Sequence, residues 1–160
     1  MLDIKTFGVV IDSTPLVAVD FVITDADDNI LLGQRLNSPA KGMWCVPGGR
    51  VYKNENLMSV VKRKLKEEVG LEEIPPMVFL GIYEHFYTDS AVSPEISTHY
   101  LAIGFAFQIY DKSLIRSCAQ HGEFKFVARS EVLMSPFVPV PIKNYLQGEF
   151  KSYLGLNIIN

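Results

Sequence analysis

Cysteine is scarce in this chain: the two present, Cys45 and Cys118, are too few for a disulfide framework, and no Cys-x-x-Cys or Cys/His cluster offers a zinc site. Long apolar runs are also missing, so no stretch reads as a membrane span. An excess of positive charge is missing as well. The net charge of -3 argues against a nucleic-acid partner, whose phosphates would call for a basic surface, whereas a small anionic ligand needs only a local basic site. The N-terminal MLDIKTFGVVID carries acids where a secretory leader needs a basic start and an apolar block, so a cytoplasmic location is expected. Repeats, low-complexity tracts and Pro/Gly/Ser linkers are lacking. With 160 residues, 48% of them hydrophobic and 21% charged, the expectation is one domain over residues 1–160.

What is present alternates between strand and helix signals. Leu16 to Thr24 is β-branched and apolar, Asp25 to Asn29 is turn chemistry, and Ile30 to Arg35 resumes an extended run, which predicts a hairpin. Asp20 interrupts the first strand and needs either a partner or a cavity. From Leu57 the apolar residues Leu57, Val60, Val61, Leu65 and Val69 recur at helical spacing, with Asn54 as the expected N-cap and Gly70 as the stop. Val78 to Tyr87 and His99 to Ile109 read as strands. The second of these has a large face (His99, Leu101, Ile103, Phe105, Phe107, Ile109) and a small one (Tyr100, Ala102, Gly104, Ala106). Phe124 to Val127 and a last helix over Ile142 to Phe150 complete a mixed sheet with helices packed on it, an α/β or α+β class.

The chemistry concentrates between Gly49 and Leu71. A Pro-Gly-Gly turn lets backbone approach a metal or phosphate, and the helix after it carries Glu67 and Glu68 one turn beyond Arg63 and Lys64. Taken alone, the pairs Arg63/Glu67 and Lys64/Glu68 are solvated salt bridges of an ordinary helix. The whole segment, however, resembles the Nudix box, G-x5-E-x7-R-E-U-x-E-E-x-G-U. Gly49, Glu55, Arg63, Glu67, Glu68 and Gly70 match its fixed letters, a coincidence of below about one in ten million per starting point at average residue usage. Lys64 departs from it, standing where the family usually has a glutamate that helps bind metal or activate water.

Outside the box the chain resembles the GDP-mannose mannosyl hydrolase branch of the Nudix group. The matching residues are Ser13-Thr14-Pro15-Leu16, Asp20-Phe21, Gly33-Gln34-Arg35, Asn37, Pro39-Ala40, Gly42-x-Trp44, Val46 to Val51, His85-Phe86-Tyr87, Thr98-His99-Tyr100 and Gln120-His121. The resemblance implies a Nudix-type α/β/α sandwich and a homodimer. It implies Mg²⁺ or Mn²⁺ held by the Gly48 carbonyl, Glu68 and Gln120, and it makes His121 the general base towards water attacking the sugar's anomeric carbon.

Substrate contacts are expected from Arg35 and Arg50, whose forks suit phosphate, and from Asp20, His85, Tyr87 and Tyr100. Arg35, Asp20 and His85 count among the catalytic candidates with His121. Arg63 is as suited to orienting Glu67 or Glu68 as to binding substrate. Three functions fit: hydrolysis of GDP-mannose, and also GDP-glucose, to GDP and free sugar with inversion; ordinary Nudix cleavage at phosphorus; and a nucleotide-sugar-binding module without catalysis.

Overall fold

The computed structural model describes residues 2–116 and 121–147. Its centre is β1 (Leu16–Thr24), which runs parallel to β6 (Thr98–Gln108) from Leu16 opposite Tyr100 to Thr24 opposite Gln108. A strand buried on both faces reads as a near-continuous apolar run, and β1 is one except at Asp20 and the terminal Thr24. On its other edge β1 pairs with β4 (Gly48–Arg50) along Ala18 to Asp20. It meets β2 (Ile30–Arg35) only at Thr24 and Ile30. The expected hairpin therefore splays beyond its turn, and β2 pairs instead with β3 (Trp44–Cys45) and β7 (His121–Val127). The edge strand β5 (Val78–Tyr87) lies antiparallel to β6.

The two faces of the sheet are covered by different elements. Val19, Phe21 and Ile23 pack with Phe107 and Ile109 against α2 (Leu57–Lys64) and its continuation, through Val60, Val61, Leu65 and Val69. Each such large side chain taken fully from water contributes about 1.5–3 kcal/mol. The opposite face is closed by α3 (Arg129–Met134) and α4 (Val140–Asn144): Val132, Ile142, Tyr145 and Leu146 sit on Val22, Ile30, Leu32, Cys45 and Val46. This is the expected mixed sheet between helical layers, an α+β sandwich. Among the described residues no helix is long and apolar enough to cross a membrane.

Several local expectations are corrected. The cap of α2 is Asn56, whose side chain accepts from the Ser59 N–H at 2.9 Å; Asn54 takes a turn conformation with φ 67° instead. After Lys64 the helix widens into a π-turn over Leu65–Val69 and stops at Gly70, whose φ of 81° suits a residue without Cβ. The helix expected from Ile142 begins at Val140, ends at Asn144, and its expected end at Phe150 lies outside the described residues. A first helix, α1 (Ile4–Ser13), precedes the sheet, capped by Asp3 accepting from the Lys5 and Thr6 N–H groups and stopped before Pro15.

Candidate active site

Strand alternation places Asp20 on the face away from α2, where it opens into a cleft of about 400 Å³. Arg35, Gly48, Arg50, Lys64, His85, Tyr87 and Tyr100 line the same cleft, with Phe7 of α1 and Ile142 of α4 at its margins. The structure thus gathers Asp20, Arg35, Arg50, His85, Tyr87 and Tyr100, six residues that are scattered along the chain. Arg35 is held in the wall by its Nε–H, which donates to the Pro39 carbonyl at 2.8 Å. The Arg50 guanidinium lies 4.0 Å above the Phe7 ring, so an aromatic plane fixes its orientation. Gln120 lies outside the described residues. The main chain of His121 opens β7 opposite Arg35.

At the floor, Asp20 Oδ2 lies 2.8 Å from the Tyr145 hydroxyl, which is also 3.1 Å from His85 Nε2. Burial pushes the Asp20 carboxyl above its ordinary range, opposed by the nearby His85, Tyr145 and Arg35. Burial also lowers His85, and the Asp20 charge offsets this in part. Tyr87 and Tyr100 are raised chiefly by burial, so both remain hydroxyl donors at neutral pH. The Cys45 thiol in this wall is pushed up to about 12 by burial, which makes it an inert packing group.

The box closes the cleft from the other side, and its charges pair among themselves. Arg63 grips Glu55 through two bonds of 2.7 and 2.6 Å, donates to the Arg50 carbonyl at 3.1 Å, and reaches Glu67 at 3.1 Å. In this arrangement Arg63 braces the glycine loop and Glu67. Lys64 is buried, 4% exposed, with Nζ 3.0 Å from both Glu67 Oε2 and Glu68 Oε1. Burial pulls its pKa down, but the charges and hydrogen bonds of Glu68 and Glu67 outweigh that and raise it, so it is an ammonium. It lies directly beneath the glycine pair, since a Cβ at Gly49 would come within 2.8 Å of Nζ. A Cβ at Gly48 would run into the Asp20 carboxylate and the Val19 carbonyl.

Among the described residues no three His, Cys, Asp or Glu side chains cluster as metal ligands. A divalent cation would need backbone and amide oxygens beside a carboxylate. Buried Glu68 and the main-chain carbonyl of Gly48 are donors of that kind among the described residues, and Gln120, the third of the implied set, lies outside them. His99, by contrast, stacks on Phe86 with ring centroids 4.4 Å apart and does not line the cleft.

Two features escaped the sequence. Tyr145 carried no signal beyond the small face of β6 that receives it, and Phe7 belongs to a helix that was not anticipated.

A mixed sheet between helical layers, with a glycine turn and a charged helix closing a cleft, defines a Nudix-type hydrolase fold. A MutT protein from Methanosarcina mazei Go1 shares it with a TM-score of 0.68 at 22% identity, over 83% of this chain and 91% of that one. The NUDIX domain of Shewanella oneidensis NrtR complexed with ADP ribose shares it with a TM-score of 0.61 at 23% identity, over 91% and 90%. By sequence, the low-salt glycan biosynthesis protein Agl8 of Haloferax volcanii is 39% identical over 129 residues, 81% of each chain. The ADP-ribose pyrophosphatase of Methanocaldococcus jannaschii is 46% identical over 70 residues, 43% of this chain and 40% of that protein. The NUDIX domain profile matches residues 14–146, and the chain belongs to the Nudix family, whose hydrolases generally use divalent metals such as Mg²⁺ or Mn²⁺.

Proposed function

We infer that this protein is a single-domain hydrolase of a nucleoside diphosphate sugar, GDP-mannose or GDP-glucose, releasing GDP and free sugar by attack of water at the anomeric carbon. The observation that carries this reading is the Lys64 ammonium, buried between Glu67 and Glu68 where the family usually has a carboxylate suited to activating water at phosphorus. An ammonium can do neither that nor ligate a cation. The likeness to a glycan biosynthesis protein over most of both chains supports a sugar-bearing substrate.

In this reading Arg35 and Arg50 hold the diphosphate, Tyr100 and Tyr87 donate hydrogen bonds to it, and Asp20 and His85 meet the sugar. His121 takes a proton from water as the water oxygen bonds to the anomeric carbon; the carbon–oxygen bond to the diphosphate breaks and its electron pair leaves with GDP. The sugar is released with inverted configuration. Bound through Gly48, Glu68 and Gln120, Mg²⁺ or Mn²⁺ would stabilise the charge gathering on the diphosphate. The resemblance supports a homodimer.

Hydrolysis of GDP-mannose with Mg²⁺ in ¹⁸O-labelled water tests the reaction. Label in free mannose, formed first as the β anomer, is expected. Label in GMP or mannose 1-phosphate would replace this reading with cleavage at phosphorus. Tight binding without turnover would make the protein a nucleotide-sugar sensor.

A further inference from the structure

The small face of β6 is built to receive one side chain. At Gly104 a Cβ would lie 2.9 Å from Tyr145 Cε1 and 3.2 Å from Tyr83 Cε2, so only glycine leaves room for the ring. Tyr145 fills that space edge-on to Tyr83, with centroids 4.4 Å apart, and to His85 at 5.6 Å. The ring is thereby fixed by packing, and its hydroxyl is delivered between the half-buried Asp20, 2.8 Å from its Oδ2, and the buried His85, 3.1 Å from its Nε2.

A phenol has one proton, and two neighbours cannot both receive it. The shorter contact is to the carboxylate, as expected for a charge-assisted bond, so Tyr145 donates to Asp20. His85 Nε2–H must then donate to the phenol oxygen. A neutral imidazole protonated at Nε2 carries its acceptor lone pair on Nδ1. That atom lies 3.8 Å from Asp20 Oδ2, outside hydrogen-bond range.

We propose that Tyr145 is a positioning residue of the cleft: its hydroxyl ties Asp20 to His85 and holds His85 in the Nε2–H tautomer, so that the floor offers hydrogen-bond acceptors to a ligand. Acceptors match groups that carry protons, the hydroxyls of a sugar, and repel phosphate oxygens. Arg35 and Arg50, the donors, lie elsewhere in the same cleft. The floor and the arginines together orient a ligand with its hydroxylated end at Asp20 and its anionic end at the guanidinium groups. The identity of the ligand rests on the nucleotide-sugar reading; the tautomer does not.

Imidazole ¹⁵N spectra of the substrate-free protein test the tautomer without any turnover. The chain has three histidines, and His85→Asn assigns the signal. The Nε2–H pattern is expected in the wild type, with loss of that preference in Tyr145→Phe, which keeps the ring and removes only the hydroxyl. An Nδ1–H pattern in the wild type, or the same pattern in both proteins, overturns the proposal. With GDP-mannose, Tyr145→Phe should raise KM about tenfold and leave kcat within about threefold. An unchanged KM would overturn the ligand-orienting role. Absence of turnover in the wild type would instead sink the catalytic reading and leave the spectra to decide this one.

Discussion

Two charged regions face each other across the cleft, and they are organised in opposite ways. In the box, Glu55, Arg63, Glu67, Lys64 and Glu68 form a chain of ion pairs that serves the box itself. In the cleft, Arg35 and Arg50 are held by a carbonyl and an aromatic face, partners that fix direction without neutralising charge. The charges of the signature segment are therefore mostly paired with one another. Apart from its own Arg50 and Lys64, the charged groups Asp20 and Arg35 and the imidazole of His85 that line the cleft come from strands outside it.

The sharpest way to break this comparison is at residue 121. If the reaction follows the proposed route with His121 as base, His121→Gln should lower kcat by about 10² to 10⁴ while Mn²⁺ affinity changes little. Near-normal turnover at neutral pH would return the catalytic role to the box.

The next largest effect concerns the box as architecture. Lys64→Ala leaves Glu68 buried without its ammonium, which should lower stability by about 3–5 kcal/mol in metal-free buffer. Mn²⁺ should restore part of that loss in thermal unfolding. Glu68→Gln should instead abolish the response to Mn²⁺ and damage metal-dependent activity more than Lys64→Ala does. Equal responses to the metal in the two variants would mean that Glu68 is purely an internal partner.

A smaller contrast separates the arginines. Arg35→Ala should raise KM for GDP-mannose roughly tenfold to a hundredfold with little change in melting temperature. Arg63→Ala should lower the melting temperature, with a smaller effect on KM, because its guanidinium binds Glu55 and the Arg50 carbonyl. The reverse pattern would show that the pairing seen in the box yields to substrate.

How much of this could be read from the chain depends on the range of the interaction. β1, β2 and β5 were legible to the residue because an apolar strand bounded by turn chemistry is a local signal. Asp20 was flagged because a carboxylate in such a strand needs a reason, and the structure supplies Tyr145 and His85. The N-cap was misplaced because Asn54 and Asn56 have the same side chain and only backbone geometry tells them apart. The π-turn at Leu65–Val69 left the apolar spacing intact, so periodicity could not show it. Tyr145 was invisible for a different reason: its partners are 125 and 60 residues away, and only the absent side chain of Gly104 hinted at a guest. The box named the family, but not that Lys64 would lie buried under it.

The closeness of Gly49 to the Lys64 side chain links two positions that belong to different elements of secondary structure. Any side chain at 49 would need the space now filled by Cε and Nζ of Lys64, so it could be admitted only if the Lys64 side chain moved aside or residue 64 became shorter. Either change in turn takes the ammonium away from Glu68. Loop, lysine and glutamate are therefore coupled across three elements of the fold. A return to the ordinary Nudix box takes only Lys64→Glu, which would replace the ammonium between Glu67 and Glu68 by a third carboxylate.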